Sequence, residues 1–308
     1  MRTRIAVIGA GMVGGTCAQR LAERGYADVV LLDILEGLAR GKALDIQESL
    51  PVVGSDARVV GTSSYEDVRG SRVVVVTSGI ARKPGMSRED LVLTNMKVIS
   101  EVCENVSRVA PDSIIVMVTN PLDAMVQLAL RVIGFERARV IGQSGILDSA
   151  RLRTFIAQEL NVSVSSVSAY ILGGHGNTMV ALPRLSTVGG VPLSGLLPQE
   201  RIDALVQRAV DGGAEIVQLL KTGSAYYAPA AAAVSMVDAI VLDKKEILPC
   251  AIRLDGEYGM DGVVVGVPVK LGASGVEQVL ELDLTSSEQK ALERSADAVR
   301  ETIAIMGL

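Results

Sequence analysis

The chain has 308 residues, 49% hydrophobic and 21% charged, with 30 Lys and Arg against 35 Asp and Glu. At roughly 150 residues per domain this length predicts two globular domains, and the net charge of −5 leaves no basic excess for a phosphodiester backbone or an anionic membrane surface. Six Tyr, two Phe, no Trp and one His argue likewise against base-stacking platforms and multi-histidine metal sites, so nucleic acid, membrane and metal are not expected as partners.

Cys17, Cys103 and Cys250 stand far apart, without paired metal-ligand spacing, and read as reduced core thiols of a cytoplasmic protein. The opening MRTRIAVIGAGMVGG breaks its apolar run with glycine and lacks a small-residue cleavage site, unlike a signal peptide. No stretch approaches the roughly 18 uninterrupted apolar residues that span a bilayer.

In chain order, the first half repeats one theme, a short β-branched run, a turn with Gly or Asn, then an amphipathic stretch. The runs are Arg4 to Ile8, Val29 to Leu32, Ala57 to Val60, Val73 to Thr77, Ile114 to Val118 and Arg139 to Ile141. Their near-continuous Val and Ile content is that of strands buried on both faces, and the alternation with helices predicts a doubly wound parallel sheet. After residue 143 the rhythm changes. A helix is predicted from Ser144 to Leu160, then short antiparallel strands and glycine-rich loops from Ser168 to Leu193, and helices over Pro198 to Lys221 and Ala225 to Asp243. A strand group follows (Pro249 to Leu254, Gly262 to Lys270, Val276 to Leu280), and then a helix from Ser286 to Ile305 whose LTSSEQ start suggests a Ser cap. The expected fold is α/β, an N-terminal sheet domain over residues 1–143 and a C-terminal α+β substrate domain over 144–308.

Gly9, Gly11 and Gly14 form GAGMVG, together with Ala10, Met12 and Val13, directly after the strand RIAVI and directly before a helical stretch. In that context the first glycine permits the tight turn, the second lets a pyrophosphate approach the backbone, and the third allows close helix-to-strand packing. The helix N-terminus adds positive potential. Asp33 ends VVLLD, 19 residues after Gly14, where a carboxylate would bind the adenosine ribose hydroxyls and repel a 2′-phosphate, which favours NAD over NADP. This is the Rossmann pattern; the alternative is a tightly packed glycine turn with no ligand.

His175, the lone imidazole, sits in GGHGNT. Taken alone it reads as a polar loop residue; in a dehydrogenase it is the one group near neutral pKa able to exchange a proton with an alkoxide. Spacing does not say which Asp orients it. ARKPGMSRED puts Arg82, Lys83 and Arg88 on a loop after the fourth strand, where ligands of open α/β sheets bind. A solvated basic loop is the competing reading.

GAGMVG, VLLD, ARKPGMSR, VTNPLD, GILDSARLR and GGHGN, in that order, resemble the malate and lactate dehydrogenase family. The resemblance covers essentially the whole chain and is greatest to the malate dehydrogenases built on the lactate dehydrogenase plan. It implies His175 as proton donor and acceptor, Asp148 as the carboxylate orienting it, and Arg151 as the fork gripping the substrate C1 carboxylate. Arg88 would polarise the ketone oxygen on loop closure. Asn120 would bind substrate beside the nicotinamide, Val118 and Thr119 would line the cofactor, and Asn95 is matched to a cofactor contact; locally, Asn120 also reads as a plain turn former before Pro121.

At the position of Arg82 lactate enzymes typically carry glutamine, so arginine there implies the distal carboxylate of oxaloacetate. The implied activity is NAD-dependent, reversible oxidation of malate, a reaction of the tricarboxylic acid cycle. The alternatives are an L-lactate dehydrogenase and, from another class, a non-catalytic dinucleotide-binding module. The implied assembly is a homotetramer, with a homodimer second. Ser224 in KTGSAYY either nears the substrate or caps the next helix, and YYAPAAAAVSMVDAI is expected in the core or at a subunit interface.

Overall fold

The computed structural model describes residues 2–80 and 86–308; Arg82 and Lys83, and the side chain of Arg88, lie outside the described residues. Six parallel strands, β1 (Thr3–Ile8), β2 (Ala27–Leu32), β3 (Val59–Thr62), β4 (Val73–Val76), β5 (Ile114–Met117) and β6 (Val140–Gly142), follow the order β3-β2-β1-β4-β5-β6. Helices α1 (Met12–Glu23), α2 (Glu36–Val53), α3 (Arg88–Val109) and α4 (Leu122–Ile133) belong to this half. The order reverses between β1 and β4, and the crevice at such a switch point is where an open α/β sheet binds its ligand. The VVVV of β4 and the IIVM of β5 are buried at every position, as strands covered on both faces must be. The third strand begins two residues later than expected, because its register is set by Val29 opposite Val59 and Leu32 opposite Thr62.

The second half contains α5 (Gly145–Leu160), the two-residue strands β7 (Val167–Ser168), β8 (Ile171–Leu172), β9 (Val180–Ala181), β10 (Thr187–Val188) and β11 (Val191–Pro192), and helices α6 (Gln199–Leu220) and α7 (Tyr227–Val241). The long strands β12 (Glu246–Asp255), β13 (Asp261–Gly272) and β14 (Gly275–Val279) then precede α8 (Ser286–Ile305). These long strands do not form a sheet of their own. β12 lies antiparallel to β6 with Ala251 opposite Gly142, so β12, β13 and β14 extend the first sheet to nine strands. Small residues make the seam possible, since a Cβ at Gly142 would sit 2.9 Å from the Ala251 Cβ.

The Ala-rich segment is α7, buried along most of its length and packed on α1. The cap of α8 is Thr285 rather than a serine: Thr285 has the extended backbone of a cap and its hydroxyl accepts from Glu288 N, while Ser286 already lies inside the helix. α3 opens with the same reciprocal box between Ser87 and Asp90, so Arg88 stands in the first turn of a helix rather than in mid-loop.

Candidate active site

The glycine turn links β1 to α1 as its spacing requires. Gly9 has φ +102°, and its Cβ would meet Thr77 Oγ1 at 2.8 Å, while a Cβ on Gly14 would run into the Gly9 carbonyl. Gly11 differs: nothing lies within 4 Å of its Cβ position. The protein itself therefore does not require glycine there, and the open space suits a ligand approaching the backbone. The first turn of α1 has no acidic residue of its own, which suits its free N–H groups to an anionic ligand. Asp33 braces the turn, Oδ2 accepting from Ala10 N at 2.7 Å and Oδ1 from Leu35 N at 3.0 Å, and each oxygen keeps a further lone pair for a hydroxyl donor.

Two cavities meet at this turn. One of about 380 Å³ is lined by Gly9, Gly11, Asp33, Leu35 and Tyr65; the other, of about 670 Å³, runs past Met12, Val13 and Gly14 to Val118, Thr119, Asn120 and Ser224. They share Gly11, Thr77, Ser78, Gly79 and Ile80, so the two form one continuous groove along the glycine turn, with Asp33 towards one end and Asn120 towards the other. Asn95 lies behind that surface. It is fully buried, accepting from Ile80 N at 2.8 Å and donating to Asn120 O at 2.7 Å, so it supports the wall instead of lining it. Thr119 is similarly occupied, donating to Ser78 O at 2.5 Å. The Asn120–Pro121 peptide is cis.

His175 follows β8, and its loop is held from two sides. Gly173 exchanges hydrogen bonds with Gly266 of β13 at 2.8 and 3.0 Å, and Gly174 N donates to Ser295 Oγ of α8 at 2.8 Å. Gly173 has φ +86°, and its Cβ would lie 2.7 Å from Ser295 Oγ. The ring then meets α5: Nδ1 is 2.8 Å from Asp148 Oδ2, and Asp148 Oδ1 accepts from Arg151 Nη1 at 3.2 Å. Asp148 and Arg151 are one turn apart on the same helix face, as the spacing implies. Arg151 Nε is buried without a partner, a donor suited to an anionic oxygen.

Burial pulls the His175 pKa down, but the charge and hydrogen bond of Asp148, with the charge of Asp123, push it above its ordinary value against Arg151. Burial also pushes the Asp123 carboxyl up to about 6, held back by the His175 backbone N–H and charge. The three cysteines are free and buried, and burial pushes Cys17 and Cys103 up to about 12, which makes them unreactive.

The structure thus brings His175, Asp148 and Arg151 together, and Asn120 lines the cavity of about 370 Å³ in which His175 also stands. Arg82 falls outside the described residues, and so does the Arg88 side chain. Ser224 lines the larger cavity together with Asn120 and does not cap α7, whose cap residue is Tyr226.

Four features escaped the sequence reading. Asp123 receives the His175 backbone N–H at 2.8 Å; Ser295 and Gly266 hold the histidine loop; Lys42 Nζ donates to the Gly11 carbonyl at 3.0 Å. Gly212 and Gly213 in mid-helix α6 make room for Arg151, whose Cδ would lie 3.0 Å from a Cβ on Gly212. Two glycines inside a helix, each costing about 1 kcal/mol relative to Ala, were the signal for that last contact.

Comparison with known proteins agrees with this geometry. Residues 3–142 match the lactate/malate dehydrogenase NAD binding domain and residues 146–306 the lactate/malate dehydrogenase alpha/beta C-terminal domain. The chain belongs to the lactate/malate dehydrogenase family, and NAD is its cofactor. It is 53% identical to the malate dehydrogenase of Rhodopirellula baltica, over 99% of this chain and 98% of that one. Among solved structures it is similar to the apo malate dehydrogenase of Picrophilus torridus (TM-score 0.96, 46% identity, 99% and 97% of the two chains). The lactate dehydrogenase of Cryptosporidium parvum, complexed with lactic acid and nicotinamide adenine dinucleotide, is comparably similar (TM-score 0.96, 44% identity, 100% and 98%).

Proposed function

We infer that this chain is an NAD-dependent malate dehydrogenase, interconverting (S)-malate and oxaloacetate. The observation that carries the reading is the His175–Asp148–Arg151 constellation, built on the buried Asp148 carboxylate beside the groove of the glycine turn, in a chain matched over nearly its whole length by malate dehydrogenases. Nicotinamide supplies the hydride acceptor or donor. Asp148, 2.8 Å from Nδ1, holds the tautomer in which Nδ1–H donates to it, which leaves Nε2 to exchange the proton with the substrate oxygen. In the reducing direction His175 starts protonated and gives its proton to the nascent alkoxide; in oxidation it takes the proton from the malate hydroxyl. Asp148 stabilises the imidazolium in both directions.

Arg151 holds the substrate C1 carboxylate, Arg88 polarises the carbonyl oxygen, and Asn120 hydrogen-bonds to the substrate. Arg82 pairs with the distal carboxylate. An unpaired cation in a closed, water-poor pocket is costly, so that arginine favours a dicarboxylate over pyruvate. The fold is common to malate and lactate enzymes, and discrimination rests on that side chain. Gly9, Ala10, Gly11, Met12, Val13, Gly14, Asp33, Val118 and Thr119 form the cofactor groove, with Asn95 acting through Asn120 and Ile80.

We further propose a working division into residues 1–143 and 144–308, a cytoplasmic location, and a homotetramer before a homodimer. Exposed Leu44 and Val52 on α2, with Leu219 on α6, offer apolar surface for subunit contacts. Among the described residues no helix is long and apolar enough to cross a membrane.

The test is the NADH-dependent kcat/KM for oxaloacetate and pyruvate, on the parent and on Arg82→Gln. Oxaloacetate should be preferred by about a hundredfold or more, about 3 kcal/mol, and the preference should collapse in the variant. A pyruvate preference in the parent would establish the lactate alternative, and turnover of neither acid would leave a dinucleotide-binding module.

A further inference from the structure

Two carboxylates touch residue 175. Asp148 meets the ring; Asp123, in the first turn of α4, is buried, and its Oδ2 accepts the His175 backbone N–H at 2.8 Å. The other Asp123 oxygen, Oδ1, is buried with no hydrogen-bond partner, and the side chain lines the same cavity as His175, Asn120 and Thr178. A carboxylate left half-satisfied in the interior opposes folding. An asparagine there would accept the same N–H without burying a charge. What the aspartate adds is negative charge beside the imidazole.

We propose that Asp123 is a second positioning residue of the proton relay, fixing His175 through its backbone N–H while its charge stabilises the imidazolium. This rests on the reading of His175 as proton donor and acceptor. Among the described residues, the charged groups that act on the ring are Asp148 and Arg151 from α5 and Asp123 from α4; Gly266 of β13 and Ser295 of α8, which hold its loop, are uncharged. Both carboxylates favour the protonated ring, and Arg151 opposes them. Asp123 itself, raised to about 6 by burial, ionises in the range where the relay must work. The two aspartates then have different roles. Asp148 sets the tautomer, and Asp123 sets where the loop sits and adds to the charge that retains the proton.

The chain has one histidine, so every imidazole NMR signal of the full-length protein belongs to His175. Its ring is titrated in the parent and in Asp123→Asn, with Asp148→Asn as the reference for a lost ring partner. In Asp123→Asn the imidazole pKa falls, and the pH above which oxaloacetate reduction declines falls with it. The value of kcat drops by about tenfold, while the thermal midpoint is kept. An imidazole titration that coincides with that of the parent overturns the proposal. Should Asp123→Asn not fold, Asp123→Glu and Asp123→Gln ask the same question with side chains of nearly equal size. The Glu variant titrates above the Gln variant if charge matters, and coincidence of the two again overturns the proposal. His175→Asn keeps this result separate from the underlying reading: retained turnover there sinks the proton relay itself, whereas its loss with an unmoved Asp123→Asn titration sinks only the part assigned to Asp123.

Discussion

A Cβ added at Gly11 would meet nothing within 4 Å, whereas one added at Gly173 would lie 2.7 Å from Ser295 Oγ on a backbone with φ +86°. The two glycines stand at corresponding places, one in the turn that opens the cofactor groove, the other in the loop that presents the histidine. On the proposed reading the first serves a partner that arrives from outside, and the second is needed for neighbours the fold has already put in place. Glycine in a binding turn is thus a requirement of the complex, while glycine in the catalytic loop is a requirement of the folded chain. Substitutions at the two positions should fail in different assays.

The largest effect is expected at Gly173. Gly173→Ala combines a left-handed backbone with a clash against Ser295 and should cost about 2–4 kcal/mol of stability, read as a shift in denaturant midpoint; an unshifted midpoint would mean that the loop relaxes freely. Gly11→Ala should leave that midpoint in place, since its backbone is extended, at φ −64° and ψ −162°, and the added methyl group touches no protein atom. NADH affinity measured by fluorescence titration should instead weaken by about tenfold, or 1.4 kcal/mol. Unchanged affinity would mean that the cofactor does not approach that backbone.

The smallest effect serves as a control, because it touches neither glycine. Glu257 accepts two hydrogen bonds from Arg137, at 2.7 and 3.1 Å, and Arg137 holds its carboxyl down at about 2. A depressed carboxylate stabilises the fold above its usual value near 4.5 and loses that contribution as pH falls towards 2. Glu257→Gln should therefore cost about 1 kcal/mol at pH 7, and its stability should converge with that of the parent at acid pH, with NADH affinity unaltered. A deficit that persisted at pH 2 would assign the loss to packing instead of charge.

The same contrast explains what could be read in advance. The strand, turn, helix and acid of the cofactor groove lie within the first 33 residues, so their chemistry follows from local spacing. Residues 148, 151 and 175 were identified through motifs, and the structure supplies the distances between them. Asp123 stood in VTNPLD unassigned, because nothing local shows that the start of α4 meets the backbone of residue 175. Ser295 and Gly266 were invisible for the same reason: serine in an amphipathic helix and glycine in a strand become meaningful only when distant parts of the chain meet. The two-residue strands between Val167 and Pro192 were anticipated as a region but not as elements, being too short to show a period of two. The joining of β12 to β6 was missed because each strand, read alone, is simply apolar.

That joining has a mechanical side. The β6–β12 seam carries the sheet from one half of the chain into the other, and the Arg137–Glu257 pair stitches across it, with Arg137 also donating to Arg253 O at 3.0 Å. Separating the halves near residue 143 would part Gly142 from Ala251 and leave two sheet edges uncovered, a surface that invites aggregation. Both halves therefore share one sheet. Opening that seam would disturb the one sheet that carries both the glycine turn after β1 and Gly266 of β13, which holds the His175 loop.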